Sequence, residues 1–296
     1  MTGATGRLGT TVLAAVGSQP RWSGIAWTRA EFDLDDPATA NAAIERDRPE
    51  VVVHCAAWTD VDGCAREPDL ALARNGIATG ELATACARAG ARLVVVSTNE
   101  VFDGTRTDRQ PYRAADRPSP ANPYGVSKRL GEELAGAAFD GSGSELWIAR
   151  TAWLYGPPGR DFPTKILAAA QQALATGQTL KLVGDEVGCP SSARDVAVGI
   201  VALIAHPESA GIHHLVNAGL ASRADWARLV MELAGIDVPT EDVPLSTWAR
   251  PSTPPRWGVL EPTEIPDLGT LRPWREAVAE DTAPRFAAAG VEGNSV

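Results

Sequence analysis

A chain of 296 residues is long enough for one large α/β domain, or for a cofactor domain with a smaller substrate lobe folded onto it. Its formal charge of −10 and its scattered 27 Lys and Arg exclude a nucleic-acid surface and predict that any anionic ligand meets a local site. No run reaches the roughly 20 uninterrupted apolar residues of a membrane span. No charged n-region precedes an apolar N-terminal segment, and four cysteines (Cys55, Cys64, Cys86, Cys189) stand at irregular spacing, which predicts a soluble cytosolic protein with reduced thiols and no metal site.

The chain opens on a Gly-rich turn, Thr2 to Gly9, followed by an apolar helix from Leu8 to Val16 and a short strand around Gly24 to Thr28. A helix from Pro37 to Arg46 leads into the continuous apolar run Val51 to Ala57, suited to a strand buried on both faces. A helix from Pro68 to Ala89, a strand from Arg92 to Ser97, a Pro-rich loop, a helix from Tyr124 to Ala138 and a strand from Leu146 to Arg150 follow. Strands alternating with helices at this spacing predict a doubly wound parallel sheet of Rossmann type over residues 1–150.

Beyond Arg150 the alternation loosens into helices at Phe162 to Thr176 and Ala193 to Ala205 and strands at Leu180 to Val183 and Gly211 to Val216. Residues 151–290 are therefore expected to form a smaller substrate-binding portion, partly interleaved with the first, and 291–296 a frayed tail. A dinucleotide fold also needs a buried central strand ahead of the Gly-rich turn, whereas here Met1 directly precedes it. Losing that strand would cost more than the marginal stability of a domain, so the first strand is expected to be truncated and the natural start to lie upstream.

Three patterns carry chemistry. Gly3, Gly6 and Gly9 stand three apart just before a helix, where unpaired N–H groups can hold a pyrophosphate that side chains would block. Tyr124 and Lys128 lie one helical turn apart, and carbonyl reduction needs a proton donor whose pKa a nearby ammonium is expected to lower. Ser97-Thr98 ends an apolar strand, at the edge where open α/β sheets bind ligands, and a hydroxyl there can hold a substrate carbonyl. At the end of the second strand Thr28-Arg29 replaces the usual acidic residue, so Arg29 is expected to meet a 2′-phosphate and to favour NADPH, with NADH as the alternative.

These residues resemble the extended short-chain dehydrogenases, and within them the dTDP-4-dehydrorhamnose reductases. The likeness runs through TGATGRLG at the start, HCAAWTDVDGC from His54, Asn75, STNEVFDG from Ser97, NPYGVSK from Asn122, RTAWLYG from Arg150, GCPSSARDVA from Gly188 and ARP from Ala249. The resemblance implies reduction of the C4 keto group of a nucleotide-linked 6-deoxy sugar, with Thr98, Tyr124 and Lys128 catalytic and Lys128 also on the nicotinamide ribose. It implies a cofactor cradle of Gly3, Thr5, Gly6, Arg7, Leu8 and Gly9, adenine contacts from Asp33 and Leu34, and a lining from Ala56, Ala57, Thr59 and Asn75. Thr98, Asn99, Trp153, Arg194 and Arg250 are the implied substrate residues.

The chain departs from the family at Asn99-Glu100, where an Asp-Tyr pair is common, and the changed charge beside the carbonyl site is expected to bear on which sugar is accepted. A non-catalytic NADP-binding subunit of the methionine adenosyltransferase type, and a nucleotide-sugar epimerase or dehydratase, are the alternatives. The retained Thr98, Tyr124 and Lys128 favour an enzyme over the binding subunit. A nucleotide sugar is the expected partner, and a homodimer through a pair of amphipathic helices is compatible with the pattern.

Overall fold

The computed structural model describes residues 1–288, and the expected tail at 291–296 lies outside them. Apolar strands buried on both faces need helices above and below, and the central sheet has that arrangement. Strands β1 (Val51–His54), β2 (Arg92–Thr98), β3 (Leu146–Thr151) and β4 (Gly211–His214) pair in that order, all parallel. Successive side chains point to opposite faces. Val52, Leu93 and Val95 pack with Ile44, Leu82 and Ala135, from helices α2 (Thr39–Asp47), α3 (Ala78–Ala89) and α4 (Pro123–Phe139). Val53, Val94 and Trp147 pack with Leu8, Val12, Val196 and Ile200, from α1 (Arg7–Gly17) and α6 (Ala193–Ala205). Each such buried aliphatic side chain contributes about 1.5–3 kcal/mol.

The second half returns to this sheet through β4 and α6, so the two halves share one core. Its own cluster gathers Tyr155, Trp226, Val230 and Trp274 beneath helices α5 (Phe162–Thr176), α7 (Arg223–Leu233) and α8 (Trp274–Ala288). The strand Leu180–Val183 pairs there with Thr240–Val243.

Two expectations need correction. The segment Gly24 to Thr28 is not a strand beyond one bridge, that of Trp27 to Thr2. Trp27 N donates to Met1 O at 2.7 Å and Thr2 N to Val53 O at 3.1 Å, so Thr2 bridges Trp27 on one side and His54 on the other. A cavity of about 380 Å³ lined by Met1, Val12, Val16, Ile25 and Val53 adjoins this pairing. The helix expected from Pro68 to Ala89 is interrupted by a π-helical stretch, Leu72–Ile77, with buried Asn75 inside it. Such bulges commonly mark functional sites.

Candidate active site

The Gly-rich turn begins with Gly3 at φ +61°, a left-handed conformation that favours glycine, and a Cβ there would lie 2.7 Å from Ala56 N. A Cβ on Gly9 would lie 2.1 Å from Gly3 O, so the first turn of α1 packs directly on the loop. Gly6 caps α1 without a side-chain hydrogen bond, and no acid stands in the first turn. The helix thus presents bare N–H groups and a positive end. This cradle fits the pyrophosphate of a dinucleotide.

Two adjoining pockets meet at Gly3, Gly6 and Ala57. The first, about 330 Å³, has Thr5, Asp33, Leu34 and Ala56 in its wall, together with Arg29. Arg29 bonds Asp33 at 3.1 Å and Asp35 at 2.8 Å, while Arg74 grips Asp35 through two nitrogens at 2.5 and 2.8 Å. Two guanidiniums thus face two carboxylates where an adenosine ribose would lie. Arg29 lines this pocket with its charge paired to Asp33 and Asp35.

The second pocket, about 440 Å³, holds Arg7, Leu8, Gly9 and Thr59 on one side and Thr98, Tyr124, Lys128 and Trp153 on the other. Arg7 directs its guanidinium to the carbonyls of Gly156 and Arg160, tying the cofactor turn to the second half. Asn122 caps α4 by accepting from Gly125 N at 2.8 Å, and Pro123 occupies the first turn. Only glycine fits at 125, where a Cβ would lie 2.0 Å from Glu100 O. This close approach sets Tyr124, the preceding residue in the same turn, against the end of β2, where its phenol feels the Thr98 hydroxyl.

Burial raises the Tyr124 pKa, with Glu100 and Cys64 adding to it and the Thr98 hydroxyl opposing. This corrects the expectation that Lys128 lowers it. The phenol loses more from leaving water than it gains from an ammonium one turn away, so it holds its proton throughout the working pH range. Lys128 is itself only 4% exposed, and burial lowers its pKa to about 8, with Glu132 opposing. Ser97 Oγ and Thr151 Oγ1, at the ends of β2 and β3, are buried without a hydrogen-bond partner among the described residues. Both residues belong to the cleft wall.

Trp153 adopts φ +45°, a strained conformation for a bulky residue, and strain of this kind gathers at functional sites. Its ring stacks on Trp226 with centroids 5.9 Å apart and carries the Arg223 guanidinium at 3.6 Å. Arg223 also bonds buried Glu186 at 2.9 Å and lines the cleft. No motif announces Arg223 in the sequence, because only the return of α7 to the cleft puts it there.

Four expected site residues have their polar groups engaged with other parts of the protein. Asn75 lines neither pocket: its amide accepts from Trp58 N at 2.8 Å and donates to Trp58 O at 3.0 Å and Ser127 Oγ at 3.1 Å. Ser127 in turn donates to Tyr124 O, so Asn75 clamps the loop after β1 to the catalytic helix. Asn99, although in the cleft wall, donates to Gly258 O at 3.3 Å and is 4% exposed. Arg194 lies on the outer end of α6, 63% exposed, bonded to Glu280 and absent from the cleft wall. Arg250 also stands outside the wall, paired with Asp62 at 3.3 Å, yet close enough to act on the charge of Glu100.

The model of the RmlD substrate binding domain matches residues 1–284. A dTDP-4-dehydrorhamnose reductase of Mycobacterium tuberculosis is 37% identical over 94% of this chain and 90% of its own. The spore coat polysaccharide biosynthesis protein SpsK of Bacillus subtilis is 35% identical over 97% and 98%. The crystal structure of a dTDP-4-dehydrorhamnose reductase from Clostridium acetobutylicum superposes with a TM-score of 0.87 at 31% identity, covering 96% of this chain and 98% of that one. One from Bacillus anthracis, in complex with NADP, superposes with a TM-score of 0.84 at 26% identity over 97% of each chain. The chain belongs to the dTDP-4-dehydrorhamnose reductase family.

Proposed function

We propose that the protein reduces the 4-keto group of a dTDP-linked 6-deoxy sugar with NADPH, as a step of dTDP-rhamnose biosynthesis. The observation that carries this reading is a buried, protonated Tyr124 lining one cleft with Thr98, with Lys128 one turn behind it and the open end of α1 across the cleft. A pure binding subunit has no use for a proton donor held in this way.

NADPH, when bound, supplies the hydride to C4. The Gly3 to Gly9 turn would hold its pyrophosphate, Asp33, Leu34 and Ala56 its adenosine end, and Lys128 its nicotinamide ribose. Thr98 positions the carbonyl oxygen, and Tyr124 delivers a proton to it as charge develops. The Lys128 ammonium steadies the phenolate left behind. Trp153, with Arg223 stacked on it, walls the sugar side.

The four free thiols support a reducing compartment, the cytoplasm. Among the described residues no helix is long and apolar enough to cross a membrane. Exposed Ile77, Val126 and Leu134, on the π-helical stretch and α4, support a homodimer through that face. The test is NADPH oxidation followed at 340 nm with dTDP-4-dehydrorhamnose, with the product identified by NMR. Turnover to dTDP-rhamnose is expected. Tight NADPH binding without turnover on this or another dTDP-4-keto sugar would overturn the reading.

A further inference from the structure

Glu100 carries a carboxyl that the reductase mechanism leaves unused. It lines the cleft with Thr98, Tyr124 and Trp153 and is half-buried there. Its backbone N donates to Thr98 Oγ1 at 3.2 Å, and its Oε2 accepts from Asn122 Nδ2 at 2.6 Å. Asn122 stands two residues before Tyr124, so the carboxyl is held at the start of the helix that carries Tyr124, in the cleft that Thr98 and Tyr124 also line. Among the described residues it forms no ion pair. The two arginines acting on it are committed elsewhere, Arg223 to Glu186 and Arg250 to Asp62.

A carboxyl so placed has a chemical use beside a ketone. We infer that Glu100 removes and returns the proton on a ring carbon next to the keto group, so that the cleft enolises its sugar as well as reducing it. The inference rests on the reading that a 4-keto sugar lies here with its oxygen on Thr98 and Tyr124. The C–H bond breaks, and its proton passes to the Glu100 carboxylate. The bonding pair forms the carbon–carbon double bond, and the carbonyl π pair moves onto the C4 oxygen, which takes the Tyr124 proton. Reversal, with a solvent proton on Glu100, restores the ketone and consumes nothing.

The electrostatics agree. Burial raises Glu100 to about 7, with Glu186 adding to the shift and Asn122, Arg223 and Arg250 opposing it. Tyr124 and Cys64, the other titratable groups that feel its charge, hold their protons at that pH. A group that titrates there both accepts and gives up a proton readily.

The test uses the full chain with NADP+, which cannot reduce the sugar, and dTDP-4-dehydrorhamnose in D2O, with deuterium at C3 and C5 read by NMR. Exchange above the enzyme-free blank is expected, rising as pH increases through about 7. Glu100→Gln is expected to slow it by roughly 100-fold or more, and Glu100→Asp to keep part of it. NADP+ affinity, measured on each variant, reports whether the cleft is intact. Reduction by the wild-type protein with NADPH but no exchange with NADP+ would overturn this inference alone. Exchange persisting in Glu100→Gln at the wild-type rate would do the same. Neither exchange nor reduction would overturn the function it rests on.

Discussion

The buried pair between Glu132 of α4 and Arg150 of β3 offers a perturbation whose size can be worked out from the structure. Arg150 Nε and Nη2 meet the two oxygens of Glu132 at 3.0 and 2.7 Å, and the two side chains are 1% and 6% exposed. Among the described residues the other partners of the Arg150 side chain include the Ala114 carbonyl at 3.4 Å and the Phe102 ring at 5.2 Å, neither of which carries a charge. Glu132→Gln leaves a guanidinium in the interior without its counter-ion, a change that costs about 3–5 kcal/mol. Against a typical stability of about 5–15 kcal/mol, that is a large share. At about 2–4 °C per kcal/mol the Tm should fall by roughly 6–20 °C, read by calorimetry or urea melts.

A second readout separates this pair from a merely structural one. Glu132 lies one turn beyond Lys128 and raises its pKa against the effect of burial. Activity needs the ammonium, so it is present below about pH 8 and lost as pH rises through that value. Without the Glu132 charge the basic limb of kcat/KM should move to lower pH. Replacing both partners by apolar residues of similar volume should recover most of the stability, since no lone charge is left. A loss below about 1 kcal/mol, together with an unmoved basic limb, would refute the reasoning.

Other outcomes follow from the same geometry. Gly9→Ala sets a Cβ 2.1 Å from Gly3 O, so the turn must part from α1 and the Kd for NADPH should rise about tenfold or more, measured by fluorescence. Trp153→Ala removes the ring under Arg223, and KM for the sugar should rise roughly 3- to 30-fold, matching a cation–π contact of about 0.5–2 kcal/mol. Arg29→Ala frees Asp33 to accept from a ribose hydroxyl while Arg74 still holds Asp35, so the preference for NADPH over NADH should drop roughly two- to fivefold in kcat/KM. Arg194→Ala should leave KM within about twofold, because its exposed pair with Glu280 is a surface contact.

The sheet was legible because period is a local property: apolar runs at Val51 and Arg92 announce strands buried on both faces, and glycines three apart announce a turn that backbone must approach closely. The Tyr124–Lys128 pair was legible for the same reason, since one helical turn of spacing puts two side chains on one face. What depends on burial was not. Spacing places Lys128 near Tyr124, yet the pKa of the phenol follows the low dielectric around it and rises. Asn75 reads equally as a ligand or a clamp until the π-helical stretch turns its amide onto Trp58 and Ser127. Arg194 sits in a matching motif, but its helix directs it outward to α8. Arg223 becomes visible only when the chain folds back over Trp153.

The central claim is that Tyr124 is the proton donor of a keto reductase. The measurement that tests it most directly compares kcat/KM of the wild-type protein and Tyr124→Phe with NADPH and dTDP-4-dehydrorhamnose, with NADPH affinity determined on both. The account predicts a loss of about 10²- to 10⁴-fold in kcat/KM with NADPH affinity retained. A variant that reduces the sugar within about tenfold of wild type would contradict it.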